Sequence, residues 1–352
     1  MNGGSYVARD RFILTNHPGR EQSITWNRVS HEPGAQKVRR RGLLGDFFEA
    51  VALFLKRREF SVVVLGGGAR TDLFYLILHR LCPFGGRPVV KLDCLWYEAK
   101  PFKQFLKGIL FRWLDKGVSR YVVWAQREMA DYSRVFRLPR EKFCFVPYHT
   151  TIEADNYQPM RGNYIFSGGN FARDYATLAL AVRGLDVRVI IACSNREAVE
   201  GINFPPNARV VGVDHQRFME LMAGSYINVV CLRKGLLHSG GQQTFLNAMA
   251  LGKPVIVTDP EGARGYVEDG VDGLLVPPGD PLKLREAILK LLNNRQLADI
   301  MGHRGKFKAS RLDTEAHLTA IARLARDVAQ EAIMDMESRQ PAAGQNNLRK
   351  TP

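Results

Sequence analysis

The feature that most constrains this chain is an alternation. Short, continuous apolar runs lie at residues 11–15, 61–65, 88–92, 120–124 and 142–146. Between them run longer segments with apolar residues at helical spacing; residues 43–58, for example, are apolar at 43, 44, 47, 48, 51, 54 and 55. A strand apolar on both faces must be covered on both faces, so this pattern predicts βαβ units around a parallel sheet. The pattern breaks in a polar stretch at residues 147–162 and then restarts. Further strands are expected at 164–166, 187–191, 209–211, 227–230, 254–257 and 274–276, and helices near 173–182, 215–223, 242–251, 281–292 and 312–334. At 352 residues the chain exceeds the ~250–300 at which one core stops growing. The expectation is therefore two Rossmann-like α/β domains, residues 1–155 and 160–334, with a cleft between them and a disordered tail at 335–352. Ligands of such sheets bind beyond the carboxyl ends of the strands.

Charge and cysteine usage narrow the setting. The net charge is +15, and residues 1–155 carry 26 basic and 15 acidic side chains, a net +11. A basic half points to an anionic partner. No helix-turn-helix or RNA-binding signature accompanies it, so nucleic acid is not expected. The five cysteines show no CxxC spacing and no Cys/His cluster, which argues against a disulfide framework or a zinc site. No apolar run reaches the ~20 residues of a membrane span. These readings place the protein in the cytoplasm, with attachment to the inner face of the membrane left open.

The most informative stretch is residues 238–280, HSGGQQTFLNAMALGKPVIVTDPEGARGYVEDGVDGLLVPPGD. Gly240 and Gly241 form a turn opening a helix near Gln242, whose first amides are a ready anion site. Gly252 ends that helix, residues 254–257 are the next strand, and Thr258, Asp259 and Gly262 form a loop at its ligand end. A well-capped αβ unit of no special function would share these features. The string as a whole, however, resembles the C-terminal signature of GT-B glycosyltransferases of the retaining, glycogen-synthase-like kind. Ala248-Met249-Ala250, Gly252, Pro254-Val255-Ile256, Gly262, Val267, Asp269-Gly270 and Gly273 to Asp280 match it in register.

That resemblance implies transfer of a sugar from a nucleotide-diphosphate sugar to an acceptor, with the donor in the C-terminal domain. It also implies two glutamates eight positions apart, one for the donor sugar and one for the ribose. Here those positions hold Ser239 and Asn247, with His238, Gln242 and Gln243 as further polar candidates. The resemblance implies a basic residue after the first C-terminal strand. Gly168, Gly169 and Asn170 open that loop and Arg173 matches the basic position, with Arg233 or Lys234 as a second cation. With cations and helix amides for the diphosphate, no metal or other cofactor is expected.

On the acceptor side, Gly67 and Gly68 follow the strand at 61–65. They do not form a dinucleotide GxGxxG fingerprint, since Thr71 stands where its third glycine would be. Gly19 lies where relatives carry a glycine-rich loop. Asp93 and His17, each just past a strand, are the catalytic candidates, and the catalytic group is otherwise unknown. Two further readings stay open: a nucleotide-sugar epimerase of the same fold, and a non-catalytic subunit that binds nucleotide sugars. Residues 100–116 form a basic amphipathic segment with Phe102, Phe105, Leu106, Ile109, Leu110, Trp113 and Leu114 on one stripe. It reads either as a core-packed helix or as a contact with an anionic membrane, and Lys37, Arg39, Arg40 and Arg41 lie in the same basic half. A membrane lipid or a surface-polysaccharide precursor is the expected kind of acceptor.

Overall fold

The computed structural model describes residues 11–19, 21–33, 42–94, 96–97, 99–157 and 162–338. The basic cluster at Lys37 and Arg39–Arg41 lies outside the described residues, as does the tail from 339. The chain begins β1 (Ile13–Thr15), α1 (Ile24–Val29), β2 (Ser30–His31), α2 (Leu43–Lys56), β3 (Val62–Leu65), α3 (Ala69–Leu81), β4 (Val89–Lys91), α4 (Pro101–Asp115), β5 (Arg120–Val123), α5 (Gln126–Phe136) and β6 (Phe143–Phe145). It continues β7 (Tyr164–Gly168), α6 (Tyr175–Val182), β8 (Arg188–Ala192), β9 (Ala208–Val211), α7 (His215–Ala223), β10 (Ile227–Val230), α8 (Gln242–Ala250), β11 (Val255–Val257), α9 (Pro260–Ala263), β12 (Leu274–Leu275), α10 (Pro281–Leu292), α11 (Arg295–Ala309) and α12 (Thr314–Ser338).

Two six-stranded sheets result, ordered β2-β1-β3-β4-β5-β6 and β12-β11-β10-β7-β8-β9. The pairing is parallel, for example Val63 opposite Val89 and Val229 opposite Ile256. The central strands are apolar and inaccessible, as continuous Val/Ile/Leu runs require when helices cover both faces. Strand order 3-2-1-4-5-6 in the second sheet is the doubly wound order with its switch point between β7 and β10.

By contact density the chain forms two compact units. The first comprises the residues up to Cys94, Lys107–Val122 and the stretch from Leu318; the second comprises Leu95–Leu106 and Val123–His317. In the second, α8 lays Phe245, Leu246 and Met249 into one buried cluster with Tyr266 and Val255. On another, Leu178 of α6 meets Leu284 and Ile288 of α10.

Five elements escape the sequence pattern, and one of them, the four-residue α9, stands where the sequence predicts a loop. α1 and β2 are six and two residues long, too short to show a period. α5 reads as polar because its buried side chains, Glu128, Tyr132 and Phe136, include a carboxylate. α11 carries two glycines, which disfavour a helix. Gly302 is there because the helix lies hard against its neighbour: a Cβ on it would stand 2.3 Å from the Gly252 carbonyl oxygen. One expectation needs correction. The tail does not begin at 335, because α12 runs on to Ser338.

The stripe at residues 100–116 is split rather than uniform. Leu114 is buried, whereas Phe102, Phe105, Leu106 and Ile109 are exposed at 45–73%. Among the described residues no helix is long and apolar enough to cross a membrane.

Candidate functional site

The loop after β10 and the start of α8 form the centre of the second unit's ligand face. Gly241 caps α8 without any side-chain hydrogen bond, so the first-turn amides of Gln242, Gln243 and Thr244 point outward uncapped. Beside them Gln242 is 4% exposed, and its Nε2 has no hydrogen-bond partner among the described residues. A buried amide nitrogen left unpaired costs about 1–3 kcal/mol, so such groups call for explanation. Here it is a donor lying in the same first turn as three donor amides.

Arg173 stands behind this turn. It is 8% exposed, and its guanidinium donates to Gly168 O (2.9 Å), Phe171 O (3.0 Å) and Thr244 Oγ1 (2.9 Å). None of these partners is anionic. Burial lowers the guanidinium's proton affinity. Gly169 makes room for the group: a Cβ there would lie 2.6 Å from Arg173 Nη2, and its φ of +127° suits only glycine. The reading of Arg173 as an arginine beside phosphate thus gains a buried charge without a carboxylate, though one that reaches α8 through Thr244.

The other predicted donor-side residues divide. Asn170 turns away to hold the loop after β8, accepting from the amides of Ser194 (2.7 Å) and Asn195 (3.1 Å). Gly168 is pressed by the Phe218 ring. Arg233 and Lys234 are exposed on the loop after β10, and Gly240 follows on the same loop. Gln243 and Asn247 converge on Thr151: Gln243 Nε2 and Asn247 Nδ2 both donate to Thr151 Oγ1, and Asn247 Oδ1 accepts from Thr151 N.

Ser239 and His238 meet a set of residues of which the sequence reading contained only Asp259. Glu128, 1% exposed, caps the start of α5 with Oε2, which accepts from Trp124 N and Ala125 N. Its Oε1 accepts from Ser239 N at 2.7 Å and lies 2.8 Å from His238 Nδ1. Tyr132 OH is 3.2 Å from the same ring nitrogen, and Tyr97 and Trp124 present ring contacts at 5.6 and 6.3 Å. Arg127 donates to Ser239 Oγ and Leu236 O, both at 2.8 Å, and lies 3.3 Å from Asp259 Oδ2. Burial raises the Asp259 carboxyl, and Arg127 opposes that rise. These residues are scattered over positions 97–259; the sequence places Asp259 in a loop at the ligand end, and only the carboxylate inside the otherwise amphipathic α5 hints at the rest.

In the first unit the acceptor-side candidates gather at the carboxyl ends of β1, β3 and β4. Asn16 Oδ1 accepts from Gly66 N and Gly67 N, and its Nδ2 donates to Asp72 at 2.7 Å. A Cβ on Gly67 would stand 1.9 Å from Asn16 O, so the two loops touch backbone to backbone. Gly68 starts α3, and Gly19 packs on Leu318. His17 meets Trp26 edge-on and lies against Gly66. Asp72 pairs with Lys91 at 2.8 Å, both nearly inaccessible. Burial alone would lower the Lys91 pKa; Asp72 turns the net shift upward. Beyond them Asp93 takes the left-handed conformation, φ 51°, and burial pushes its carboxyl up to about 6 against the opposing pull of Lys91.

Residues 171–294 match the family described as Glycosyl transferases group 1. An uncharacterized glycosyltransferase of Methanocaldococcus jannaschii is 31% identical over 94 residues, which is 27% of this chain and 23% of that one. The capsular polysaccharide biosynthesis glycosyltransferase CapM of Staphylococcus aureus is 39% identical over 61 residues, 17% of this chain and 16% of its own. The chain thus spans under a quarter of the length of these curated relatives.

Among solved structures, sucrose-phosphate synthase of Thermosynechococcus elongatus aligns with a TM-score of 0.62 at 16% identity, over 86% of this chain and 83% of that one. Anabaena HepE, solved in complex with UDP-glucose, aligns with a TM-score of 0.58 at 14% identity, over 82% of each chain. The fold is GT-B. The likeness to the group 1 glycosyltransferases is carried by the segment from 171 to 294, about a third of the chain.

Proposed function

We propose that the protein transfers a sugar from a nucleotide-diphosphate sugar to an acceptor. The observation that carries this is the uncapped first turn of α8, with the unpaired Nε2 of Gln242 beside it and the buried Arg173 guanidinium behind it. Preorganised amides and a cation are what a leaving diphosphate needs, because negative charge grows on its oxygens as the glycosidic bond breaks. Exposed Arg233 and Lys234 supply further charge, and the proposal includes no cofactor. HepE is solved with UDP-glucose, which favours a nucleotide-sugar donor here. By family resemblance the anomeric configuration is retained.

The acceptor in this reading is a membrane lipid or a surface-polysaccharide precursor, met at the inner face of the membrane. CapM is named for capsular polysaccharide biosynthesis, and the basic half of this chain suits an anionic surface.

The test is incubation with a panel of nucleotide sugars, following release of nucleoside diphosphate, with melting curves in parallel. Stabilisation by one nucleoside diphosphate together with turnover of its sugar supports the transferase. An isomerised nucleotide sugar without diphosphate release would make the protein an epimerase. A second reading, a binding subunit without turnover, has its own observation. Asn247 spends both amide atoms on Thr151, and the Ser239 hydroxyl is taken by Arg127. Nucleotide stabilisation without turnover of any donor would favour it.

A further inference from the structure

Helix α2 has two apolar faces, and its fold uses one. Ala50 and Leu53 are buried, and Phe47 and Phe54 pack edge-on against Phe74 and Tyr75 of α3. The opposite side carries Leu44 (71% exposed), Phe48 (64%) and Leu55 (70%), with Leu43 (61%) at the amino end. Positions 44, 48 and 55 fall on one line along a helix of 3.6 residues per turn. No charge interrupts that line. The acidic residues of α2 are turned toward α3, where Asp46 pairs with Arg70 at 2.6 Å and Glu49 accepts from Thr71 Oγ1 at 3.1 Å.

The surface continues past the end of α2. The guanidinium groups of Arg57 and Arg58 both donate to the carbonyl oxygen of Phe84, whose ring is 81% exposed. Arg87 donates to Arg58 O at 2.9 Å, which brings another cation to the same place. Lys56 and Arg58 are exposed, and in sequence Lys37, Arg39, Arg40 and Arg41 immediately precede the helix. A line of leucine and phenylalanine that ends in exposed lysine and arginine matches a surface that is apolar inside and anionic at its rim.

We propose that the outward face of α2, extended by Phe84, docks the protein on an anionic lipid bilayer. Leu44, Phe48, Leu55 and Phe84 enter the acyl boundary, and Lys56, Arg58 and Arg87 meet lipid phosphates. A protein partner is less well matched: protein interface cores are depleted of charge, whereas here Lys56, Arg58 and Arg87 close the apolar line at its carboxyl end. This inference deepens the membrane part of the proposed function and is separable from its transfer chemistry, which nucleotide binding reads independently.

The experiment is co-sedimentation of the full chain with vesicles of phosphatidylcholine alone and of phosphatidylcholine with phosphatidylglycerol, at low and high salt. The wild type should pellet with the anionic vesicles and be released by salt. Leu44→Glu/Phe48→Glu should lower the bound fraction by about tenfold or more, while nucleoside diphosphate still raises its melting temperature as in the wild type. Should that variant fail to fold, Leu44→Ser/Phe48→Ser replaces it, and Phe48→Trp in an otherwise unchanged chain should show blue-shifted fluorescence on anionic vesicles. The proposal is overturned by equal binding of wild type and α2 variants, by no binding to anionic vesicles at low salt, or by a Phe48→Trp spectrum that vesicles leave unchanged. A dimer in solution that the α2 variants dissolve, with no vesicle binding, would instead make this face a self-association surface.

Discussion

Asn247 Oδ1 accepts a hydrogen bond from the backbone N–H of Thr151 at 2.9 Å, while its Nδ2 donates to the hydroxyl of the same residue at 3.1 Å. Both halves of the amide are therefore committed to the segment that follows β6. Asn247 is 3% exposed, so the bonds are made away from water. Removing one partner leaves a desolvated amide behind, which costs about 1–3 kcal/mol. Asn247→Ala should lower stability by that amount in urea unfolding. Asn247→Asp should lose less, because a carboxylate oxygen still accepts from Thr151 N. Equal stability of Asn247→Ala and the wild type would show that Thr151 is held by other contacts.

Gln242 gives the opposite sign. Its buried Nε2 has no partner among the described residues, so the fold carries the penalty of an unpaired donor. Gln242→Met keeps the side chain's length and removes the donor. The unliganded protein should become more stable, by about 1 kcal/mol. Its affinity for the best nucleoside diphosphate should fall by about tenfold, since a hydrogen bond to a charged group is worth roughly 1.5–3 kcal/mol. Thermal melts with and without nucleotide read both effects. A variant that is less stable and binds equally well would remove Gln242 from the site.

Arg173 couples fold and site. Loss of a solvated arginine at a helix start would cost under about 0.5 kcal/mol. In the structure Arg173 is buried and donates to two carbonyls and a hydroxyl. Arg173→Ala strands those acceptors and should destabilise the protein by about 2–4 kcal/mol. Arg173→Lys keeps the charge but cannot span three acceptors with a planar fork, so it should recover only part of this. Chemical denaturation of the three proteins is the check. An Arg173→Ala midpoint equal to that of the wild type would place the arginine outside the packed loop.

The sequence made the strands legible because each central strand is a continuous apolar run, such as residues 62–65 and 255–257. It made the start of α8 legible because glycine pairs and helix starts are local. It did not reveal Glu128 or Arg127 beside Ser239, because their meeting depends on folding positions more than a hundred residues apart. Nor did it separate the two faces of α2. Leu44 belongs to the apolar series at 43, 44, 47, 48, 51, 54 and 55 and Leu53 does not, yet packing against α3 buries Leu53 and leaves Leu44 exposed. α11 failed for a related reason: Gly302 argues against a helix locally but is demanded by the close approach of Gly252.

Asp93 ties the acceptor side to pH. Burial pushes its carboxyl up to about 6, from an ordinary 3.8, while Lys91 pulls the other way and Asp72 adds to the rise. A raised carboxyl pKa means that the folded state holds the proton more tightly than the unfolded one. The contribution of Asp93 to stability is therefore fully present below pH ~4 and is lost as pH rises through about 6. At pH 7 the ionised group costs on the order of 2–3 kcal/mol, at 1.36 kcal/mol per unit. Asp93→Asn should remove that cost, since an uncharged amide has nearly the same shape. The substitution also suits the backbone, because Asn tolerates the left-handed conformation that Asp93 adopts at φ 51°. His79 runs in the opposite direction: burial lowers its pKa to about 4, so its contribution fades as pH falls below 6.5. The difference between Asp93→Asn and wild type isolates Asp93 from that background. Urea unfolding at pH 4, 5, 6, 7 and 8 should show the two proteins diverging above about pH 4 and differing most above about pH 6, with the variant the more stable. If the same variant also abolishes sugar transfer while nucleoside diphosphate binding persists, the strain at Asp93 serves the acceptor. A stability difference that does not change with pH would show that the carboxyl titrates as it would in water.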